Sequence, residues 1–161
     1  SRSTISRHIS SNWGASILNS TSDANLSLSN GLKVKNRYGY KGAREEAANG
    51  FLSLIDIGVP TLKASLSMTK NHKDALIQTL FHLMREIIDT NVVHRTNNEG
   101  LRFVQSIAST FIKDGGIFQK NWKSKVANIH EIFVSKNISP GGSADLLAAS
   151  WFLYTVERKY L

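Results

Sequence analysis

The segment DALIQTLFHLMREIIDTNVVHR, Asp74 to Arg95, decides the fold. Ile77, Leu80, Met84, Ile87 and Ile88 return at the three- and four-residue intervals of one helical face. Asp74 stands where a carboxylate can cap the first turn. Beside the apolar stripe, His82, Arg85, Glu86 and Asp89 fall at i, i+3, i+4 and i+7, which makes a polar stripe along the same helix. The helical period extends outward in both directions. Upstream it predicts a helix from Ala43 to about Asp56 and another from near Pro60, whose fixed φ suits a first turn, to about Met68. Downstream, Leu101, Val104, Ala108 and Phe111 form a stripe that stops at Gly115 and Gly116. Trp122, Val126, Ile129 and Phe133 form the next, and a last helix runs from Gly141-Gly142-Ser143 toward Lys159. No stretch alternates long enough to argue a strand, and no repeat argues a solenoid, so the expected class is all-α, a compact bundle of about six helices.

Residues 1–35 read differently. Ser1 to Asn30 holds ten Ser and four Asn among few apolar residues, a composition that barely offsets the entropy of ordering the chain. The expectation is a poorly structured Ser/Asn-rich arm or linker over 1–35 ahead of a helical domain over 36–161. Short apolar pieces within the arm, Trp13 to Leu18 and Leu26 with Leu28, remain able to dock. The 161 residues and 41% hydrophobic content supply one domain with a sizeable core. The absence of cysteine excludes disulfides and thiolate chemistry and fits a reducing cytoplasm. No apolar run reaches the roughly 18 residues of a membrane helix, and no signal-peptide pattern appears. The excess of 20 Lys and Arg over 12 Asp and Glu, net +8, suits a polyanionic partner or simply a solubilising surface. Because the charges are spread along the chain and no helix carries a continuous basic face, a nucleic-acid binder is the weaker reading.

Three clusters carry candidate chemistry. In DTNVVHR, Asp89, Asn91, His94 and Arg95 bring a carboxylate, an amide, an imidazole and a guanidinium within two turns. Carboxylate with imidazole serves proton transfer, and Arg grips phosphate oxygens; a solvated helix face is the plainer alternative. In SPGGSADLL, Gly141 and Gly142 allow close backbone approach, Ser143 is the natural cap, and the unpaired N–H groups of the following turn can cradle a phosphate. Asp145 would repel that anion unless Mg²⁺ lies between them. An ordinary capped turn after Pro140 explains the same residues. In YGYKGAREEAANGF, Tyr38 to Phe51, Lys41 and Arg44 can hold phosphates, and Glu45 or Glu46 can supply metal oxygens or merely favour a helix N-terminus.

Taken in this order, the three motifs resemble the C-terminal half of triphosphoribosyl-dephospho-coenzyme A synthases, over a span from about Leu32 to the C-terminus. The PKPGLVD-like and GSHxDM-like motifs of that family's N-terminal half do not occur here. The resemblance implies transfer of the 5-triphosphoribosyl group of ATP to the 2′-hydroxyl of 3′-dephospho-coenzyme A, with release of adenine. The product is the prosthetic-group precursor of citrate lyase or malonate decarboxylase. Such chemistry needs a base, a proton donor for adenine, phosphate contacts and Mg²⁺. The implied roles are Asp89 as base or metal ligand, His94 as proton donor or phosphate contact, and Asn91 as positioning group. Lys41, Arg44, Arg95 and the Gly141–Ser143 turn would hold phosphates, with Glu45, Glu46 and Asp145 as further candidate metal ligands. If Asp89 is the base, Asp89→Asn is expected to fold normally and turn over poorly. The partners expected are the two substrates, the absent half or a second copy through an exposed apolar face, and possible acyl carrier proteins. A non-catalytic nucleotide or coenzyme binding module would use the same basic and glycine-rich groups.

Overall fold

The computed structural model describes residues 2–19 and 29–160, and among them the chain forms helices joined by short turns, with no strand. In chain order the helices are α1 (Arg2–Asn19), α2 (Asn30–Tyr38), α3 (Ala43–Ala48), α4 (Val59–Thr69), α5 (His72–Glu86), α6 (Thr90–Lys113), α7 (Trp122–Ser135) and α8 (Gly141–Tyr160). The all-α class is as expected.

The core gathers along α5 and α6. Phe81 and Phe111 stack with ring centroids 4.0 Å apart. Val34, Met84, Val92, Val93, Leu101, Val104 and Ala108 are buried around them. The stripe Leu101, Val104, Ala108 and Phe111 is buried throughout, and Phe133 closes the cluster with Trp122, Val126 and Ile129 packed partly against it. The other side of α5 meets α4 and α8, where Val59, Leu62, Ala75 and Leu83 have no exposed surface. The α6 stripe lies on the face its periodicity indicated, because a helix of this amphipathic type is stabilised mainly by tertiary burial; on α5 the expected stripe is buried only at Met84, with Ile77 and Leu80 half-buried, while Ala75, Phe81 and Leu83 carry the core.

The structure departs from expectation at several boundaries. α1 and α2 are helices where the composition predicts an arm; Leu26 and Leu28 lie outside the described residues. α1 docks through small residues, Ser6 and Gly14 being buried. The Arg44 guanidinium also holds the C-terminal end of α1, donating to the carbonyls of Ile17 (2.9 Å) and Leu18 (2.5 Å), so orphan acceptors of the last turn find a partner. The predicted helix from Ala43 to Asp56 breaks at Asn49–Phe51, where Gly50 and Phe51 take φ of 78° and 60°.

Helical structure resumes at Leu52 and continues through Pro60 by way of a π-helical turn, Leu54–Gly58. A proline in a helix lacks its N–H and crowds the carbonyl four residues back, and the widened turn relieves both. The Val59 N–H correspondingly reaches Leu54 O. Asn71, not Asp74, caps α5, its side chain accepting from the N–H groups of Lys73 and Asp74. α5 ends at Glu86, so Ile88 is exposed and Asp89 belongs to the next helix.

α8 lies against α4, α5 and the π turn. Its contact there is very close, since a Cβ at Gly58 would stand 2.0 Å from Ser150 Oγ. Gly58→Ala is therefore expected to cost about 1–3 kcal/mol in urea unfolding, and Ser150→Gly in the same chain to recover part of it. Equal stability of Gly58→Ala and the parent chain would contradict this packing.

Candidate functional site

Asp89 is the N-cap of α6 and is only 2% exposed. Its Oδ1 accepts from the backbone N–H groups of Asn91 (3.0 Å) and Val92 (3.4 Å), which is how an Asp before a helix saturates the first turn. Its Oδ2 accepts from the Ser143 N–H (2.8 Å) and Ser143 Oγ (3.0 Å), 54 residues away at the start of α8. One carboxylate thus sits at two helix N-termini, where both macrodipoles favour negative charge. The approach demands glycine beside it. A Cβ at Gly141 would lie 2.8 Å from Asn91 Nδ2, and one at Gly142 3.1 Å from Asp89 Oδ1.

The third motif reaches the same place. Gly42 packs against Thr90, the first residue of α6, at 3.5 Å from the Thr90 methyl to the position of a Cβ. Segments near residues 42, 90 and 142, distant in sequence, therefore meet at the N-terminus of α6.

This geometry revises several roles. Asp89, the expected base or metal ligand, is buried with its two oxygens accepting four donors, and those bonds join α6 to α8. Ser143 is not a cap: α8 is entered through Pro140, whose carbonyl accepts the Ala144 N–H, and Ser143 lies buried in the first turn. The turn expected to cradle phosphate has its Gly141 N–H on Ser139 O and its Ser143 N–H on Asp89, so the anion at this helix start is Asp89 itself. Arg44 binds the end of α1. Glu46 accepts from Ser53 N–H (2.6 Å) and Ser53 Oγ (3.0 Å). Glu45 closes a capping box on the Gly42 N–H (2.9 Å) and pairs with Lys35 (2.6 Å). Burial would raise the Glu45 pKa, but the bonds from Lys35 and Gly42 outweigh it and hold the carboxyl below its ordinary value. The polar stripe also divides, because His82, Arg85 and Glu86 stay on α5 while Asp89 starts α6. Burial, with the nearby Arg85 charge, keeps His82 below its ordinary pKa, and its ring meets Gln78 at 3.2 Å.

Other groups remain available. Among the described residues Lys41, Asn91, His94 and Asp145 make no side-chain hydrogen bond or ion pair, and Lys41, His94 and Asp145 are exposed. Arg95, also exposed, touches only Asn137 Oδ1 at 3.1 Å. Among the described residues no group of three or more His, Asp or Glu side chains forms a metal cage.

Sequence reasoning missed a break inside α6. Asn97 takes φ 59° and ψ −166°, a conformation nearly confined to glycine, and Tyr38 Oη donates to its Oδ1 at 2.9 Å. The adjacent Asn98 Oδ1 is buried without a hydrogen-bond partner. The Asn-Asn pair before Glu99-Gly100 was the available signal, since Asn enters positive φ more readily than other residues with a side chain. Two open grooves lie away from the junction of the three motifs. One, of about 410 Å³, is lined by Ser6, Arg7, Asn49 and Asp56 among others; one of about 340 Å³ is lined by His72, Trp151, Tyr154 and Arg158 among others.

A helical protein whose three separated motifs meet at the N-terminus of one helix is the class that fold and site define. Residues 7–161 match the CitG family, ATP:dephospho-CoA triphosphoribosyl transferase, and the chain belongs to it. The chain is 38% identical over 156 residues to the probable 2-(5''-triphosphoribosyl)-3'-dephosphocoenzyme-A synthase of Acinetobacter calcoaceticus, covering 97% of this chain and 53% of that relative. It is 40% identical over 117 residues to the Klebsiella pneumoniae 2-(5''-triphosphoribosyl)-3'-dephosphocoenzyme-A synthase, covering 73% and 39% of the two chains. The match thus begins well before Leu32, inside the segment read as an arm, and the chain spans about half the length of the curated relatives it matches. No solved structure matches.

Asp89→Asn places an amide NH₂ against backbone or hydroxyl donors. The expected result is a loss of about 2–4 kcal/mol of unfolding free energy, not the normal folding anticipated for a catalytic base. Unchanged denaturant unfolding of that variant would contradict the structural role.

Proposed function

We propose that the chain contributes the α6 and α8 side of a triphosphoribosyl transferase site, acting on ATP and 3′-dephospho-coenzyme A with release of adenine. The observation that carries the reading is the meeting of three distant motifs at the α6 N-terminus in a chain of this family. In the reaction the N-glycosidic bond of ATP breaks, a bond forms from the same ribose carbon to the acceptor 2′-oxygen, and the hydroxyl proton leaves while adenine gains one. The triphosphate stays on the transferred ribose.

With Asp89 committed to structure, His94 is the free titratable side chain of DTNVVHR suited to proton transfer, and Asn91 is free to position a substrate hydroxyl or base. Lys41 and Arg95 are the cations left to meet phosphate oxygens. Mg²⁺ would enter with the triphosphate, since it is usually held by substrate phosphates with one or two carboxylates, and Asp145 is the exposed candidate. The ion would neutralise phosphate charge. The net charge of +8 suits these anionic substrates and acidic acyl carrier partners of a cytoplasmic citrate lyase or malonate decarboxylase system. Among the described residues no helix is long and apolar enough to cross a membrane.

The test is chromatographic detection of adenine from ATP, 3′-dephospho-coenzyme A and Mg²⁺. Release that needs both substrates and falls by roughly two orders of magnitude in His94→Ala, with helicity unchanged, is expected. ATP binding without adenine release, even when the remainder of the family's polypeptide is added, would favour a non-catalytic nucleotide-binding module.

A further inference from the structure

α8 is apolar on more than one side, yet its fully buried residues are two serines. Ser143 and Ser150, seven residues apart, face the body of the protein, and Glu157, seven further on, pairs with Lys63 of α4 at 2.6 Å. The side of the helix against the fold is thus built from small and polar residues that permit close packing. Ala148, Phe152, Val156 and Tyr160 follow at four-residue spacing as one ridge, which starts on the side opposite Ser150 and winds toward the flank at Tyr160. Phe152 and Tyr160 are each 69% exposed, Ala148 is exposed as well, and Val156 between them is half-buried. Twelve residues of helix make this strip about 18 Å long.

Helices that are apolar around most of their circumference are normally covered on more than one side. This chain covers only 53% of the Acinetobacter relative, so that relative carries nearly as much polypeptide again as this chain spans. A longer chain buries a larger share of its surface, about 75% at 300 residues against roughly 70% at 150, and a shared face between the two halves is what supplies the difference.

We propose that the Ala148, Phe152, Val156 and Tyr160 strip of α8 is the seat for a helix from the half of the family's polypeptide that this chain does not span. Bulky Phe152 and Tyr160 alternate with smaller Ala148 and Val156, a relief into which the side-chain ridges of a second helix fit. The proposal rests on family membership and on this helix face, not on the transferase reaction, so a failure to release adenine leaves it untouched.

The experiment co-expresses this chain with the unmatched half of the Acinetobacter relative and measures association by co-purification and sedimentation. The expected result is a one-to-one complex weakened at least tenfold by Phe152→Glu. Met68→Glu, at an exposed site on α4, serves as the control and should leave the complex intact. Because Phe152 is exposed, Phe152→Glu should keep the helicity and melting behaviour of the chain alone, which separates lost docking from lost folding. Absence of a complex, or one indifferent to Phe152→Glu, would overturn the proposal. A homodimer of this chain that Phe152→Glu dissolves and the added half does not displace would also overturn it, assigning the strip to a second copy.

Discussion

A buried carboxylate must find donors, and the way Asp89 finds them organises this molecule. A charge removed from water costs several kcal/mol unless hydrogen bonds replace the lost solvation. Asp89 meets that demand with two N–H groups at the start of its own helix and the N–H and hydroxyl of Ser143 at the start of another. Because those donors belong to segments 54 residues apart, satisfying the charge fixes how α6 and α8 approach. Gly141 and Gly142 follow from the same constraint, as side chains there would collide with Asn91 and crowd Asp89. The motif that looked like a phosphate cradle is, in the first place, the complement of an internal anion.

Small residues repeat this logic elsewhere. Gly58 receives Ser150, so the π turn that accommodates Pro60 also forms the bed of α8. Ser6 and Gly14 let α1 lie on α3. Close backbone approach through Gly and Ser leaves the larger side chains of α8 on its other sides, where Phe152 and Tyr160 are exposed. Lys41, Asn91 and His94, by contrast, make no side-chain hydrogen bond or ion pair within the scaffold.

Periodicity made most of the fold legible. Leu101, Val104, Ala108 and Phe111 were readable as a core face because burial of one helical stripe dominates helix stability. Ends were less legible, since Asp74 and Asn71 are both competent caps and only the tertiary position of the chain selects between them. Proline at 60 read correctly as the start of a helix, since α4 runs Val59–Thr69 with Pro60 in its first turn, but the π turn that leads into it left no signal in the sequence. The serine-rich N-terminus read as an arm because composition does not register docking through small residues or the guanidinium of Arg44. For the site, motif membership was legible and the division of labour was not. An Asp, a Ser and two glycines look alike in sequence whether they serve a substrate or one another, and only the distance between residues 89 and 143 distinguishes the two.

The most direct measurement is amide hydrogen exchange at Ser143 by NMR. A first-turn helix N–H has no partner within its own helix and ordinarily exchanges fast. With the Ser143 N–H donated to buried Asp89, its protection should approach that of core amides such as Val104, and Ala144 and Asp145 would serve as neighbours for comparison. Exchange at Ser143 as fast as in an unstructured peptide would mean that the Asp89 carboxylate does not tie α6 to α8.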